Sequence, residues 1–109
     1  MGAVKTGRAS AIFAGVLLVT FGTAASAAEY QVAIAKMKFG PLPEALHVGD
    51  VIVWRNSDIF RHTATARDAS FDVDLPPKSE KRMTVERAGA VDFYCRFHPM
   101  MKGKLNVQP

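Results

Sequence analysis

The segment YCRFHPMMKG near the C-terminus contains the only cysteine of the chain, Cys95, followed closely by His98 and Met101. Their spacing is C-x-x-H-x-x-M, and side chains so spaced on one loop between two strands can turn toward a common point. Pro99 fixes one backbone torsion of that loop, and Gly103 is expected to end its turn. A lone cysteine is more often a small buried apolar residue. The combination with an imidazole and a thioether favours a metal site instead.

A fourth ligand must come from another part of the chain, which has two further histidines, His47 and His62. His62 follows the turn NSDIF and opens the strand-like run HTATA, a position at the rim of a β-sandwich. His47 lies between Leu46 and Val48, so strand alternation directs it away from both apolar neighbours and toward solvent. We therefore expect His62 to be the fourth ligand, with His47 as the alternative.

The donor types indicate which metal would bind. Zinc favours four strong ligands in a tetrahedron and gains little from a thioether, and hard cations need oxygen ligands that this loop does not offer. Two imidazoles and one thiolate in a plane, with a long bond to a methionine, are typical of blue copper. Soft sulfur suits Cu(I) and imidazole accommodates Cu(II), so one cage serves both oxidation states. The residues predict one copper ion, and Met100 competes with Met101 for the axial position.

The rest of the chain must supply the elements that position these side chains. Short runs rich in β-branched and aromatic residues alternate with Gly, Pro, Asn and Asp turn signals, which predicts an all-β sandwich or barrel. In DVIVWRN, Val53 lies on one face, and Ile52, Trp54 and Asn56 lie on the other. Apolar residues on both faces near the middle of the run predict a central strand with Trp54 in the core. In AVDFYC, Cys95 continues the inward-facing row that includes Phe93.

The first 27 residues are typical of an export signal. A basic start precedes an apolar run at 11–21, and the small residues GTAASAAE follow. Such a pattern describes a signal peptide, and the apolar run is shorter than the ~20 residues of a spanning helix. We expect cleavage after Ala27 or Ala28, so that residues 28–109 form the mature domain. A retained membrane anchor is the alternative.

Size and charge narrow the function further. The chain has 109 residues, with 14 Lys and Arg against 10 Asp and Glu. Removal of Lys5 and Arg8 with the leader leaves 12 against 10, a net charge near +2 that does not indicate nucleic-acid binding. A domain of about 80 residues has a small core that often needs a disulfide or a metal. Cys95 has no partner within the chain, so a metal accounts for this thiol in an exported protein.

Three segments resemble the cupredoxin family, and in particular its amicyanins: IAKMKF, VGDVIVWRN and AGAVDFYCRFHPMMKGKLNV. The resemblance extends from about Gln31 to Val107 and implies a single Greek-key β-sandwich domain that binds one copper ion. Asn56 matches an asparagine that braces the histidine-bearing loop and the loop around the cysteine through hydrogen bonds. The copper ligands that the resemblance implies are His62, Cys95, His98 and Met101.

The function implied by this resemblance is electron transfer in the periplasm. Four protein ligands leave no open coordination position, so we expect a carrier and not an enzyme. The expected partners are transient redox proteins, an amine-oxidising dehydrogenase and a c-type cytochrome. They would meet a monomer that binds no nucleic acid and has no stable membrane association. The same ligands could serve a periplasmic copper storage or delivery module, which is the alternative function.

We also expect a surface for these partners. The exposed edge of the His98 ring is the predicted electron port, because it is the part of the cage nearest to solvent. Small, weak interfaces suit transient redox encounters, in which fast release matters more than affinity. An apolar partner patch is therefore predicted around that ring, with Leu42 as a further candidate. Its members are Phe60, Phe97, Pro99 and Met100.

Overall fold

The computed structural model describes residue 15 and residues 26–109, and in this part of the chain every regular element is a β-strand. The predicted signal peptide, apart from residues 15, 26 and 27, lies outside the described residues. No helix in the described part is long and apolar enough to cross a bilayer. The strands are β1 (Glu29–Ala35), β2 (Lys38–Phe39), β3 (Leu46–His47), β4 (Val51–Asn56), β5 (His62–Ala66), β6 (Asp72–Leu75), β7 (Glu80–Thr84), β8 (Gly89–Tyr94) and β9 (Lys102–Gln108).

The strands form two sheets. The smaller has the order β2-β1-β4-β7, and the larger has the order β3-β9-β8-β5-β6. The β1–β4 and β3–β9 pairs are parallel, whereas the other pairs are antiparallel. The chain passes through β3 of the larger sheet between β1 and β4, and through β7 of the smaller sheet between β5 and β8, so these connections cross between the sheets. The predicted all-β sandwich with Greek-key connections is confirmed.

An aromatic cluster fills the space between the sheets. Trp54 and Phe93 are fully buried, with ring centroids 5.3 Å apart at 68°. Phe39 packs against both rings at 6.1 and 4.8 Å. Edge-to-face pairs of this kind add about 0.5–1.5 kcal/mol each beyond the area that they bury. Ile52 and Asn56 are buried on the same strand as Trp54, and β4 lies between β1 and β7. The predicted central strand is confirmed.

The pairing of β5 with β8 brings the two ends of the predicted site together. These strands are antiparallel, with Thr65 opposite Tyr94 and Ala66 opposite Phe93. The first residues of β5 therefore lie beside the residues that follow β8. Cys95, directly after β8, is fully buried, as is His62 at the start of β5. The inward-facing row that alternation predicted for Cys95 is confirmed.

Gly103 has a different role from the one predicted. The turn ends before it, and Gly103 is the second residue of β9. A Cβ atom at this position would lie 2.6 Å from Cζ of Phe93 and 3.0 Å from Cδ1 of Leu42. The glycine is therefore needed because the β9 backbone packs directly against the Phe93 ring.

A buried carboxylate joins the start of the described domain to the turn between β3 and β4. Asp50 accepts hydrogen bonds from the backbone nitrogens of His47, at 2.8 Å, and Ala28, at 3.0 Å. These N–H groups hold the pKa of Asp50 below its ordinary value. The His47 side chain itself is 57% exposed, so the predicted solvent-facing position of this histidine is confirmed.

Candidate metal centre

Three of the four predicted ligands meet at one end of the sandwich. Nδ1 of His62 and Nδ1 of His98 are 3.2 Å apart. Sγ of Cys95 lies 3.7 Å from the first nitrogen and 3.6 Å from the second. His62 and Cys95 are fully buried, and His98 is half-buried. Two aromatic nitrogens and one sulfur therefore form a nearly equilateral triangle with only its His98 side near the surface.

The size of this triangle fits a transition-metal ion. Nitrogen and sulfur ligands bind such ions at roughly 2.0–2.3 Å, so three donors in one plane around an ion stand about 3.5–4.0 Å apart. The two sulfur–nitrogen separations, 3.7 and 3.6 Å, lie within that range, and the nitrogen–nitrogen separation of 3.2 Å is slightly shorter. The side chains would need little movement to bind an ion. One thiol and two imidazoles are the donors of the trigonal plane of a blue copper site.

The ligand loop is closed by its own backbone. The N–H of Cys95 donates to the carbonyl of Met101 at 2.9 Å, and the N–H of Met101 donates to the carbonyl of His98 at 2.8 Å. The N–H of His98 donates to the carbonyl of Cys95 at 3.3 Å. These bonds form two successive turns. As a result, Cys95 and Met101, the first and last residues of the C-x-x-H-x-x-M motif, are hydrogen-bonded to each other through their backbones. The loop holds Cys95 and His98 in place before any metal binds.

A carboxylate orients the buried histidine from behind. Oδ2 of Asp58 lies 2.8 Å from Nε2 of His62. Burial alone would raise the pKa of Asp58, but hydrogen bonds from Met37, His62 and Lys36 outweigh it, and the pKa lies below the ordinary value. The ionised carboxylate can only accept, so Nε2 of His62 carries the proton. The lone pair of Nδ1 is thereby left for a metal.

The same carboxylate holds the turn between β1 and β2. Its oxygens accept the backbone N–H groups of Lys36, at 2.7 Å, and Met37, at 3.0 Å. Both residues have positive φ, 52° and 61°, a conformation in which non-glycine residues need support. Asp58 therefore connects the β1–β2 turn to the orientation of His62.

Comparison with known proteins agrees with this geometry. The family model described as "Cupredoxin-like domain" matches residues 9–107. The chain belongs to this family. Amicyanin-alpha of Methylorubrum extorquens is 31% identical over 90 residues, 77% of this chain and 76% of the relative. Amicyanin of Paracoccus denitrificans is 30% identical over 81 residues, and that of Paracoccus versutus is 26% identical over 83. The chain spans only 62% and 63% of the lengths of these two proteins.

Solved amicyanin structures share the fold. The crystal structure of amicyanin from Paracoccus versutus superposes with a TM-score of 0.61 at 26% identity, covering 77% of this chain and 83% of that one. A Cu(I) form of an amicyanin variant gives a TM-score of 0.61 at 27% identity, covering 73% and 82%. The similarity thus includes most of the described cupredoxin domain.

Thr63 links the two halves of the cupredoxin site, and sequence reasoning gave it no role. Its N–H donates to Sγ of Cys95 at 3.4 Å. Its hydroxyl oxygen accepts the N–H of Arg96 at 2.9 Å and contacts Oγ1 of Thr65 at 2.9 Å. The N–H and the hydroxyl of Thr63 thus contact two successive residues of the ligand loop, Cys95 and Arg96. Thr63 therefore fixes the start of β5 to the ligand loop.

Asn56 braces the histidine-bearing loop but not the loop around Cys95. Its Nδ2 donates to the carbonyls of Phe60, Leu75 and Pro76 at 2.8, 3.0 and 3.2 Å. Its Oδ1 accepts the N–H of Asp58 at 2.9 Å. The predicted bond to the cysteine loop is wrong, because the side chain is turned toward the end of β6. Thr63 makes that connection instead.

The two methionines of the loop lie in different surroundings. Met101 is 6% exposed and belongs to the core cluster, whereas Met100 is 92% exposed. The buried thioether suits the axial position, and Met101 stays our prediction for it. The four residues of the predicted partner patch all lie at the surface, with Phe60 and Phe97 each 50% exposed.

Two further residues of this surface bear on the patch. Ile59, which sequence reasoning omitted, is 72% exposed, and Leu42 is half-buried against the core. The rings of Phe60 and His98 are 6.4 Å apart, so the patch adjoins the outer ligand. Ile59 could have been found in the sequence as an apolar residue within the polar turn NSDIF. Asp58 lies in the same turn. Because aspartate is common in turns, sequence reasoning did not assign it a contact with His62.

Proposed function

We propose that this protein is a type 1 blue copper protein that carries single electrons between redox partners in the periplasm. The observation that supports this most directly is the triangle of His62 Nδ1, Cys95 Sγ and His98 Nδ1, with sides of 3.2–3.7 Å. A copper ion bound there supplies a one-electron couple between Cu(II) and Cu(I). Similarity to amicyanin, one form of which is described with Cu(I), supports the choice of metal.

The protein contributes a fixed and nearly dry cage. His62 and Cys95 are fully buried, Thr63 donates to the sulfur, and Asp58 fixes the ring of His62. Met101 completes the set from the core side in this proposal. Ligands that are already in place need little reorganisation when the charge of the ion changes. A site closed by four protein side chains offers no position for a substrate, so the function is carriage and not catalysis.

Electrons would pass through the outer ligand. His98 is the half-buried member of the triangle. The Phe60 ring lies 6.4 Å from its ring, and Pro99 and Met100 line the same depression as His98. Redox proteins that bind weakly to the partner patch, such as a dehydrogenase and a c-type cytochrome, are the proposed donor and acceptor. Such encounters bury little surface and dissociate quickly.

Titration of the apo-protein with Cu(II) tests the proposal. We expect an intense visible band from thiolate-to-copper charge transfer, and the band should be absent from Cys95→Ser. The control is His47→Ala, which removes an exposed histidine outside the centre and should keep the colour. A protein that stays colourless, or a band that survives in Cys95→Ser, would refute the proposed site.

Storage or delivery of copper is the second candidate function, because the same cage could hold copper in transit. Burial of His62 and Cys95 argues against rapid release. Exchange of bound copper with a strong chelator separates the two functions. We expect release over hours, whereas release within seconds would indicate a copper carrier.

A further inference from the structure

A groove beside the metal centre is lined by methionines. Met37, Met100 and Met101 border it together with His98, and Lys38 and Pro99 complete the wall. Three of the five methionines in the chain therefore converge on one surface depression. We call these three residues and His98 the methionine groove. Two of its members, His98 and Met101, also belong to the proposed copper centre, so the groove and the centre share a wall.

The groove has one firmly held side and one accessible side. Met37 lies in the β1–β2 turn at φ 61°, and Asp58 accepts its backbone N–H at 3.0 Å. The turn is therefore fixed to the same carboxylate that orients His62. Met100, on the opposite side, is 92% exposed. Core packing does not account for so exposed an apolar side chain.

The chemistry of the groove matches one oxidation state of copper. Thioethers are neutral, soft ligands that select Cu(I), whereas Cu(II) gains little from them. His98 adds an imidazole that suits both oxidation states. Lys38 places a positive charge on the wall, which lowers the affinity for any cation. These features suit a site that captures Cu(I) weakly and releases it inward.

We propose that the methionine groove loads the centre with copper. The thioethers of Met37 and Met100 capture Cu(I) from solution, and the ion then moves along the shared residues His98 and Met101 to reach Cys95. The ion keeps its charge throughout, and the thiol proton of Cys95 is released to solvent when the sulfur binds. This inference rests on the proposed copper function and adds a route to it.

Anaerobic uptake kinetics test the groove. Apo-protein is mixed with Cu(I) buffered by bicinchoninate, and the rate of transfer to the protein is measured for Met37→Leu, Met100→Leu and the double variant. Leucine keeps the apolar volume and removes only the sulfur. We expect severalfold slower Cu(I) uptake in each single variant and a larger effect in the double variant. The rate of Cu(II) uptake and the final spectrum should not change.

Met83→Leu is the matched control, because Met83 lines a different cavity together with Phe71 and Leu105. Unchanged Cu(I) uptake in the double variant would overturn the proposal, as would equal slowing in Met83→Leu. Met100→Leu keeps the test valid if the double variant folds poorly, since this residue is almost fully exposed. Wild-type protein that takes up no copper would refute the copper function itself, whereas normal loading with unaltered rates would refute only the groove.

A second readout detects binding in the groove directly. Cu(I), which is diamagnetic, is added in excess and without oxygen to protein already loaded with one Cu(I), and the methionine methyl resonances are followed by NMR. We expect the signals of Met37 and Met100 to shift and that of Met83 to remain. Shifts confined to Met83, or no shift at any methionine, would contradict the proposal.

Discussion

At the scale of single residues, Asp58 is the side chain whose effect extends furthest. It bonds the ring of His62 and two backbone N–H groups of the β1–β2 turn. Its negative charge lies behind a proposed copper ligand, so it should stabilise Cu(II) relative to Cu(I). For Asp58→Asn we expect a higher reduction potential, measured by voltammetry. Loss of such a partner also weakens metal affinity about 10–100-fold.

The variant Asp74→Asn is the control that distinguishes the orienting effect of Asp58 on His62 from the effect of its negative charge on the reduction potential. Asp74 carries the same charge and pairs with Arg61 at the surface, where Nε and Oδ1 are 2.8 Å apart. Its removal should change the potential only slightly. Equal shifts in the two variants would show that Asp58 acts by charge alone and does not orient His62.

Met100 is the residue through which partner contact can be tested in protein that is already loaded with copper. A charge at this exposed position should weaken contact with an apolar partner surface, because the ammonium group would lose its hydration there. Met100→Lys is expected to slow electron transfer to a redox partner protein severalfold, measured by stopped-flow absorbance, while the visible spectrum stays the same. An altered spectrum with unchanged transfer would contradict the partner patch.

The C-x-x-H-x-x-M spacing was enough to predict the three ligands on one loop. His62 was predicted as the fourth because the chain has only two other histidines. Asp58 and Thr63 could not be predicted in the same way. The partners of Asp58 include N–H groups 21 and 22 residues away, and the sulfur that Thr63 contacts is 32 residues away. Such roles arise from folding, and the residue types alone are equally common in ordinary turns and strands.

At the scale of elements, the contact between β9 and β8 holds the ligand loop. Gly103 in β9 leaves room for the Phe93 ring, which would lie 2.6 Å from an added Cβ. Gly103→Ala should therefore lower the free energy of unfolding by about 1–3 kcal/mol. The measurement is chemical denaturation of the apo-protein. Lys104→Ala, an exposed change on the same strand, is the control and should have little effect; equal losses would exclude a specific contact with Phe93.

The sequence predicted most strands but not how they are arranged. A period of two is clear in β8, which has one buried face. β4 and β5 are buried on both faces, and they were identified as runs of β-branched and aromatic residues between turn signals. The parallel pairs β1–β4 and β3–β9 depend on contacts between distant segments, which no local pattern contains. The proximity of His62 to Cys95 follows from the β5–β8 register. The sequence indicated it through the position of His62 at the rim of the predicted sandwich and through the family resemblance.

At the scale of the whole molecule, acid stability should depend on buried carboxylates. Hydrogen bonds from His47 and Ala28 lower the pKa of Asp50 from its ordinary value of 3.8. Its contribution to folding is therefore complete above that value and is lost as the pH falls through the lower folded pKa. For Asp50→Asn we expect a less stable apo-protein at neutral pH and a smaller loss of stability on acidification.

Denaturation at neutral and acidic pH provides the measurement. Glu44→Gln is the control, because the Glu44 side chain is exposed and makes no ion pair within residues 26–109. Parallel pH profiles for wild type and Asp50→Asn would show that this carboxylate does not control acid stability.

The contact between Ala28 and Asp50 bears on how the chain would be processed. The backbone nitrogen of Ala28 lies 3.0 Å from the Asp50 carboxylate, and the backbone carbonyl of Ala28 accepts the N–H of Val51. A cut after Ala27 would turn that nitrogen into a terminal ammonium group already facing an opposite charge. A cut after Ala28 would discard both contacts. Cleavage after Ala27 would therefore create an ion pair between the new N-terminus and Asp50, and this pair would hold the N-terminus against the domain. Cleavage after Ala28 would not create it.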